Sequence, residues 1–153
     1  LDKSLTDGQA GALGKQIRKK FLDAIPGLDG LLTAVQKKAE TDILRGLDGR
    51  PIRLQGKKHA ALNYLLQSAG AIVTKRWGVI ASNMIIEAGL QYEIDYQWLS
   101  YIHDEWNLAV VPDHVDTVKG ILEWSIQDAG HYYKLKVPLN SEAKDGNNWA
   151  EVH

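Results

Sequence analysis

Apolar residues recur at helical spacing through the first part of the chain and at strand-like density only in its middle. In residues 12–24, ALGKQIRKKFLDA, Leu13, Ile17, Phe21 and Ala24 form one stripe, with Lys15, Arg18, Lys19 and Lys20 largely off it. This pattern predicts a helix. Pro26-Gly27 punctuates it, and a second helix is expected from Leu28 to about Ala39. In ILRGLDGRPIRL, Asp48-Gly49 lies between Leu47 and Arg50, a hairpin signal joining two short, basic strands. The longest helical region is expected from His59 to Glu87, with Gly89 suited to its C-terminal cap. Gln97 to Ile102 and Trp106 to Val111 are rich in aromatic and branched residues and read as a pair of strands. Pro112 suits the first turn of a further helix, whose apolar positions Val115, Val118, Leu122, Ile126 and Ala129 run to Gly130. LKVPL, residues 135–139, is a candidate edge strand, because Pro138 is poorly tolerated inside a sheet. Trp149 is the one large apolar anchor of the tail. The fold class is therefore α+β, a small antiparallel sheet covered by helices on one face.

Composition narrows the chemistry. A chain of 153 residues, 44% hydrophobic and 24% charged, suits one globular unit with a moderate core. It has no cysteine, which excludes disulfide scaffolds, zinc ribbons and thiol nucleophiles. No apolar run is long enough to cross a membrane, so no membrane partner is expected. LDKSLTDG has neither the basic nor the apolar part of a leader and no initiating Met, so a processed chain or a piece of a longer one is expected. The net charge of −1 conceals a division. Residues 1–80 hold 14 Lys and Arg against 7 Asp and Glu, whereas residues 81–153 hold 4 against 12. One half is thus +7 and the other −8, as when one face meets phosphates and another holds cations. Solvated helix faces give the same arithmetic.

Two constellations carry candidate chemistry. His59, Asn63 and Gln67 are spaced i, i+4, i+8 and share one face of the long helix. Such a row commonly faces water, yet amide side chains that both donate and accept also suit contact with base edges and sugars. The second constellation is His103-Asp104-Glu105, placed where the two aromatic strands turn. Ordinary tight turns use glycine there. Adjacent carboxylates repel each other, and hard oxygen ligands suit Mg²⁺ or Mn²⁺, with a further carboxylate needed from elsewhere. A solvated surface turn carries the same tripeptide.

Four stretches together resemble the family A DNA polymerases. IHDE between two apolar strands resembles motif C of that family, and HAALNYLLQSAGAIV resembles the helix that precedes it. LDGRPIRL resembles the family's basic hairpin, and NNWAEVH its C-terminal end. Their order and spacing agree, and the nearest likeness is to replicative polymerases of short-tailed bacteriophages. The resemblance implies a helical fingers-derived segment over residues 1–42 and a palm-type segment over 43–153. It implies that Asp104 ligates the catalytic metals, Mg²⁺ or Mn²⁺, that Glu105 supports that site, and that His103 contacts the primer end. Asn63 and Gln67 would approach the nascent pair from the minor groove, with His59 standing where many bacterial members have Arg. Arg50, Arg53, Lys57 and Lys58 would meet DNA phosphates. The motif A aspartate, the nucleotide-binding fingers helix and the thumb have no counterpart in the sequence. The implied partners are primer-template DNA, a complementary N-terminal polymerase chain and, through it, a deoxynucleoside triphosphate, in a host cytoplasm if phage-encoded. A noncatalytic DNA-binding remnant, a metal-dependent nuclease and a purely structural domain are the other readings.

Overall fold

The computed structural model describes residues 6–152. Residues 1–5, within the segment read as leaderless, and residue 153, the last of NNWAEVH, lie outside it. The chain divides into two compact units, one ending at Leu44 and resuming over Pro51–Leu65, the other comprising Arg45–Arg50 and Leu66 onward.

In the first unit, α1 (Asp7–Ala24) starts five residues before the expected stretch. The reason is a capping box: Gln9 N donates to Thr6 Oγ1 and Thr6 N donates to Gln9 Oε1, satisfying otherwise orphan amides. Its stripe of Leu13, Ile17 and Phe21 is exposed, and α1 buries none of its residues. α2 (Leu28–Ala39) follows Gly27, whose φ of 85° lets the chain reverse. Val35 and Ala39, one turn apart on α2, bury against Leu44, Leu54 and Ala61 in a small apolar cluster. Strands β1 (Ile43–Arg45) and β2 (Pro51–Arg53) form the basic hairpin. Its connection is longer than a two-residue turn: Gly49 N donates to Gly46 O, Gly46 N donates to Arg50 O, and Gly49 takes φ 84°.

A 3₁₀ turn at Lys58–Ala60 leads into α3 (Ala61–Glu87), whose first residues still belong to the first unit and on which, from Leu66 onward, the second unit is built. Val73, Trp77, Ala81 and Ile85 line its buried side at one-turn spacing. α3 ends as expected at Gly89. Leu90 N donates to Ile85 O and Gly89 N to Ile86 O, and the buried Ile85 and Leu90 supply the accompanying apolar contact. Strands β3 (Tyr96–Ile102) and β4 (Glu105–Val110) pair antiparallel, Tyr96 opposite Val110 and Ile102 opposite Glu105. A bulge between Trp98 and Ser100 shifts the register. A 3₁₀ turn at Pro112–His114 leads into α4 (Val115–Tyr132), whose Val118, Leu122, Ile126 and Ala129 close the core. Across it, Trp77 Nε1 donates to Leu122 O at 2.9 Å and Ser125 Oγ at 3.1 Å.

Two expectations about the C-terminal part are corrected. Gly130 does not end α4, because its missing side chain is a notch: an added Cβ would stand 3.3 Å from Leu139 Cγ. The helix instead closes through Lys134, at φ 54°, with Leu135 N donating to Gly130 O and Lys134 N to His131 O. LKVPL forms no strand. Pro138 offers no amide, and Leu135 and Leu139 tie the segment to the core by side-chain packing instead of a ladder. A single turn, α5 (Trp149–Val152), ends the described chain. None of the described helices is long and apolar enough to cross a membrane.

Glu151 organises that end, accepting from Asn147 N at 2.8 Å and from the side-chain amides of Asn147 and Asn148. The Asn147 backbone N–H does most to hold its carboxyl below the usual range, against an opposing effect of burial, with the side-chain amides of Asn148 and Asn147 adding to it. A carboxyl lowered on folding contributes stability above its unfolded pKa and loses it as pH falls through the folded one. Titration from neutral pH should therefore keep the Asn147 amide resonance in place until below the ordinary glutamate range. A midpoint at or above that range would show that the amide contacts do not hold the carboxylate.

Candidate functional site

The tip of the β3–β4 hairpin is a turn of two residues, His103 and Asp104. β4 begins one residue earlier than expected, so Glu105 is in the ladder opposite Ile102 and not at the tip. His103 takes φ 55°, the left-handed conformation for which such turns normally use glycine. A non-glycine residue there costs on the order of 1 kcal/mol or more, to be offset by its surroundings. His103 and Asp104 are exposed; Glu105 is half-buried, and its Oε1 accepts from Asn107 Nδ2 at 2.8 Å.

The hairpin carrying this tip is braced from below. Trp106 Nε1 donates to Thr74 O at 3.1 Å, and the indole lies over buried Gly78, where an added Cβ would be 2.7 Å from Trp106 Cζ2. Any side chain larger than hydrogen would push the hairpin off α3. Trp98 packs edge-on against Trp106 at 5.0 Å between ring centroids, and the Tyr101 ring lies 4.5 Å from it, tilted by 30°. These aromatic contacts add stiffness beyond the area they bury. The Gly78–Trp106 fit is a positioning feature that residue spacing did not flag, since a glycine inside a helix pattern looks only like a weak helix former.

The donor set at the tip suits a hard divalent cation but does not enclose one. Among the described residues no group of three or more His, Asp or Glu side chains converges on a common point. Asp104 and Glu105 thus fit the one or two protein carboxylates that magnesium uses when substrate phosphates complete its shell.

The polar row is present as expected on exposed surface. His59 sits in the 3₁₀ turn, and Asn63 and Gln67 follow one turn apart along the continuous α3. The expected phosphate contacts differ from one another. Arg53 and Lys57 are exposed, Lys58 pairs with Glu40, and Arg50 grips Asp48 through both its backbone N–H and its guanidinium. Partial burial pushes the Asp48 carboxyl up, but the combined Arg50 contacts outweigh this and leave it below the usual carboxylate range. Arg50 is therefore partly committed to shaping the β1–β2 turn.

The chain belongs to DNA polymerase family A, whose family model matches residues 14–151. It is 32% identical over 158 residues to the DNA-directed DNA polymerase of Enterobacteria phage T3 and 30% identical over 162 residues to that of Escherichia phage T7. Each alignment covers 92% of this chain but only 22% of the relative. The chain thus spans about a fifth of the length of the curated relatives it matches. Its fold is shared with the POL domain of Pol1 from M. smegmatis, solved in complex with DNA primer-template and dNTP. That likeness has a TM-score of 0.66 at 20% identity, over 80% of this chain and 24% of the other.

Proposed function

We propose that this chain is the palm-bearing C-terminal part of a split DNA-directed DNA polymerase, which works with a complementary chain carrying motif A and the nucleotide-binding helix. The observation that carries the reading is the exposed His103-Asp104 turn, held by an aromatic-braced hairpin in a chain whose family match covers nearly its whole length. In this reading residues 1–42 derive from fingers and residues 43–153 from palm. Asp104 is the carboxylate that holds Mg²⁺ or Mn²⁺, Glu105 supports it from the first position of β4, and His103 meets the primer end. When bound, such ions lower the pKa of the attacking hydroxyl and neutralise charge on the phosphates. Asn63 and Gln67 donate to the minor-groove acceptors that all base pairs share, which senses the shape of a correct pair without reading its sequence. His59, Arg50, Arg53, Lys57 and Lys58 hold the phosphate backbone, an interaction that weakens with salt. As a replication enzyme of phage type, it would act in the host cytoplasm.

The test is Mg²⁺-dependent primer extension by this chain alone and mixed with an upstream family A fragment that contains motif A, the nucleotide-binding helix and the thumb. Extension only in the mixture supports the proposal. DNA binding indifferent to Mg²⁺, with no extension in either case, would support a noncatalytic DNA-binding remnant; the absence of a self-contained metal cluster among the described residues favours this alternative over a nuclease. In the active mixture, Gln67→Ala should relax discrimination against mismatched primer ends by about two- to tenfold, the worth of one ordinary hydrogen bond. Equal mismatch extension by variant and parent would remove Gln67 from the minor groove.

A further inference from the structure

A second recess lies on the acidic half of the molecule, formed entirely within the second unit. It is a groove of about 580 Å³ between one side of α4 and the chain returning past it. Gly120, Glu123, Trp124 and Gln127 line it from α4, with Asn140 and Glu142 facing them. The α4 residues follow i, i+3, i+4, i+7 spacing and so share a face. That face is distinct from the core face of Val118, Leu122, Ser125, Ile126 and Ala129.

Three features make this groove more than a solvated acidic surface. Trp124 is 62% exposed, a large apolar area left in water on a helix whose Val118, Leu122 and Ile126 serve the core. Gly120 stands one turn before it, and a Cβ there would meet nothing within 4 Å, so the space beside the indole is open. The opposite wall is fixed: Ala143 N donates to Glu123 Oε1 at 3.0 Å, and Ser141 Oγ donates to Leu122 O at 3.3 Å. The charge around it is negative. Lys119, one turn before Glu123, is paired with Asp145, and the groove's own lining carries two carboxylates, Glu123 and Glu142, and no cationic side chain.

We propose that this groove seats an arginine side chain presented by a partner protein. A guanidinium is planar, weakly hydrated and always charged, so it stacks on an indole while its five N–H groups reach carboxylate and amide oxygens. Trp124 supplies the stacking face, Glu123 and Glu142 the countercharge, and Gln127 and Asn140 further acceptors. A nucleic acid strand would also stack on Trp124, but its phosphates would be repelled by both glutamates. Lysine fits less well, being a compact and strongly hydrated point charge. Exposed tryptophan is also a side chain on which protein interfaces concentrate their energy. This surface is separate from the hairpin tip and does not depend on the chain being a polymerase subunit.

The experiment is an NMR titration of the full chain with a short arginine-containing peptide, its lysine counterpart and its citrulline counterpart, following the Trp124 indole N–H assigned through Trp124→Phe. The arginine peptide should give a saturable shift in the millimolar range, and the lysine peptide a response weaker by about fivefold. Citrulline, an uncharged isostere, should give none. Glu142→Gln, on exposed surface, should lose the response while melting as the parent does, and Trp124→Ala, likewise exposed, should lose the peptide-induced shift of the neighbouring Gly120 backbone amide. Equal shifts with arginine and citrulline peptides, an unchanged peptide affinity in Trp124→Ala, or displacement of the arginine peptide by oligothymidylate would each overturn the proposal.

Discussion

Asp104→Ala should reduce Mg²⁺-dependent primer extension by the complemented polymerase by about 10³-fold or more, equivalent to roughly 4 kcal/mol of transition-state stabilisation. The size follows from where the charge sits. Asp104 is one of two residues in the turn and is exposed, so its carboxylate is free to face a cation, whereas Glu105 is half-buried and bonded to Asn107. Loss of Asp104 removes the tip's one fully presented hard ligand. Glu105 lies one residue along the ladder and cannot take its place without breaking the Ile102–Glu105 pair. Folding should be spared, because the residue is exposed and far smaller effects are usual for such positions. The decisive comparison is extension rate against DNA affinity, with the melting curve as control. Retention of more than about a tenth of the parental rate would remove the metal assignment.

Trp77→Ala should have the largest effect on stability, about 3–5 kcal/mol. Trp77 is only 8% exposed and sits at the centre of the α3–α4 core. Its truncation leaves a cavity and also deletes the indole hydrogen bonds to Leu122 O and Ser125 Oγ, the latter on a fully buried hydroxyl. Because whole domains are stable by only about 5–15 kcal/mol, this loss is a large share of the total. For a domain of this size it corresponds to a fall in Tm of roughly 6–20 °C. Thermal denaturation followed by near-ultraviolet circular dichroism would measure it. A fall of less than about 2 °C would mean that the α3–α4 core does not carry the stability of this unit.

Much of this architecture could be read from periodicity because its helices obey it. The α4 stripe from Val118 to Ala129 is buried where the spacing placed it, and Gly89 caps α3 as its position suggested. What escaped was set by tertiary packing. Gly130 looked like a stop signal but is a seat for Leu139, while Lys134 adopts the left-handed cap conformation that glycine usually takes. LKVPL has strand composition, yet its leucines are spent on the core and its proline cannot join a ladder. The start of α1 was legible in Thr6 and Gln9 as a capping box, a signal that apolar spacing alone does not see. At the candidate site, the row of His59, Asn63 and Gln67 follows from helical geometry. The chemistry proposed for Asp104 rests mainly on the order of neighbouring motifs, because two adjacent acids at a turn are by themselves common surface.

The bulge between Trp98 and Ser100 has a wider meaning for the hairpin. It lets Trp98 and Tyr101, three positions apart, both contact Trp106, although strict alternation would place them on opposite faces. Leu99 is therefore the extra residue of β3, unpaired in the ladder, and it adds a local bend and twist to the ribbon below the acidic turn. Replacing the exposed Leu99 with another residue keeps that bend. Removing it would leave Trp98 and Tyr101 two positions apart, on the same face by ordinary alternation, in a ladder that has lost the bend and extra twist of the bulge. The presence of this extra residue, more than the identity of its side chain, is what bends the hairpin toward its tip.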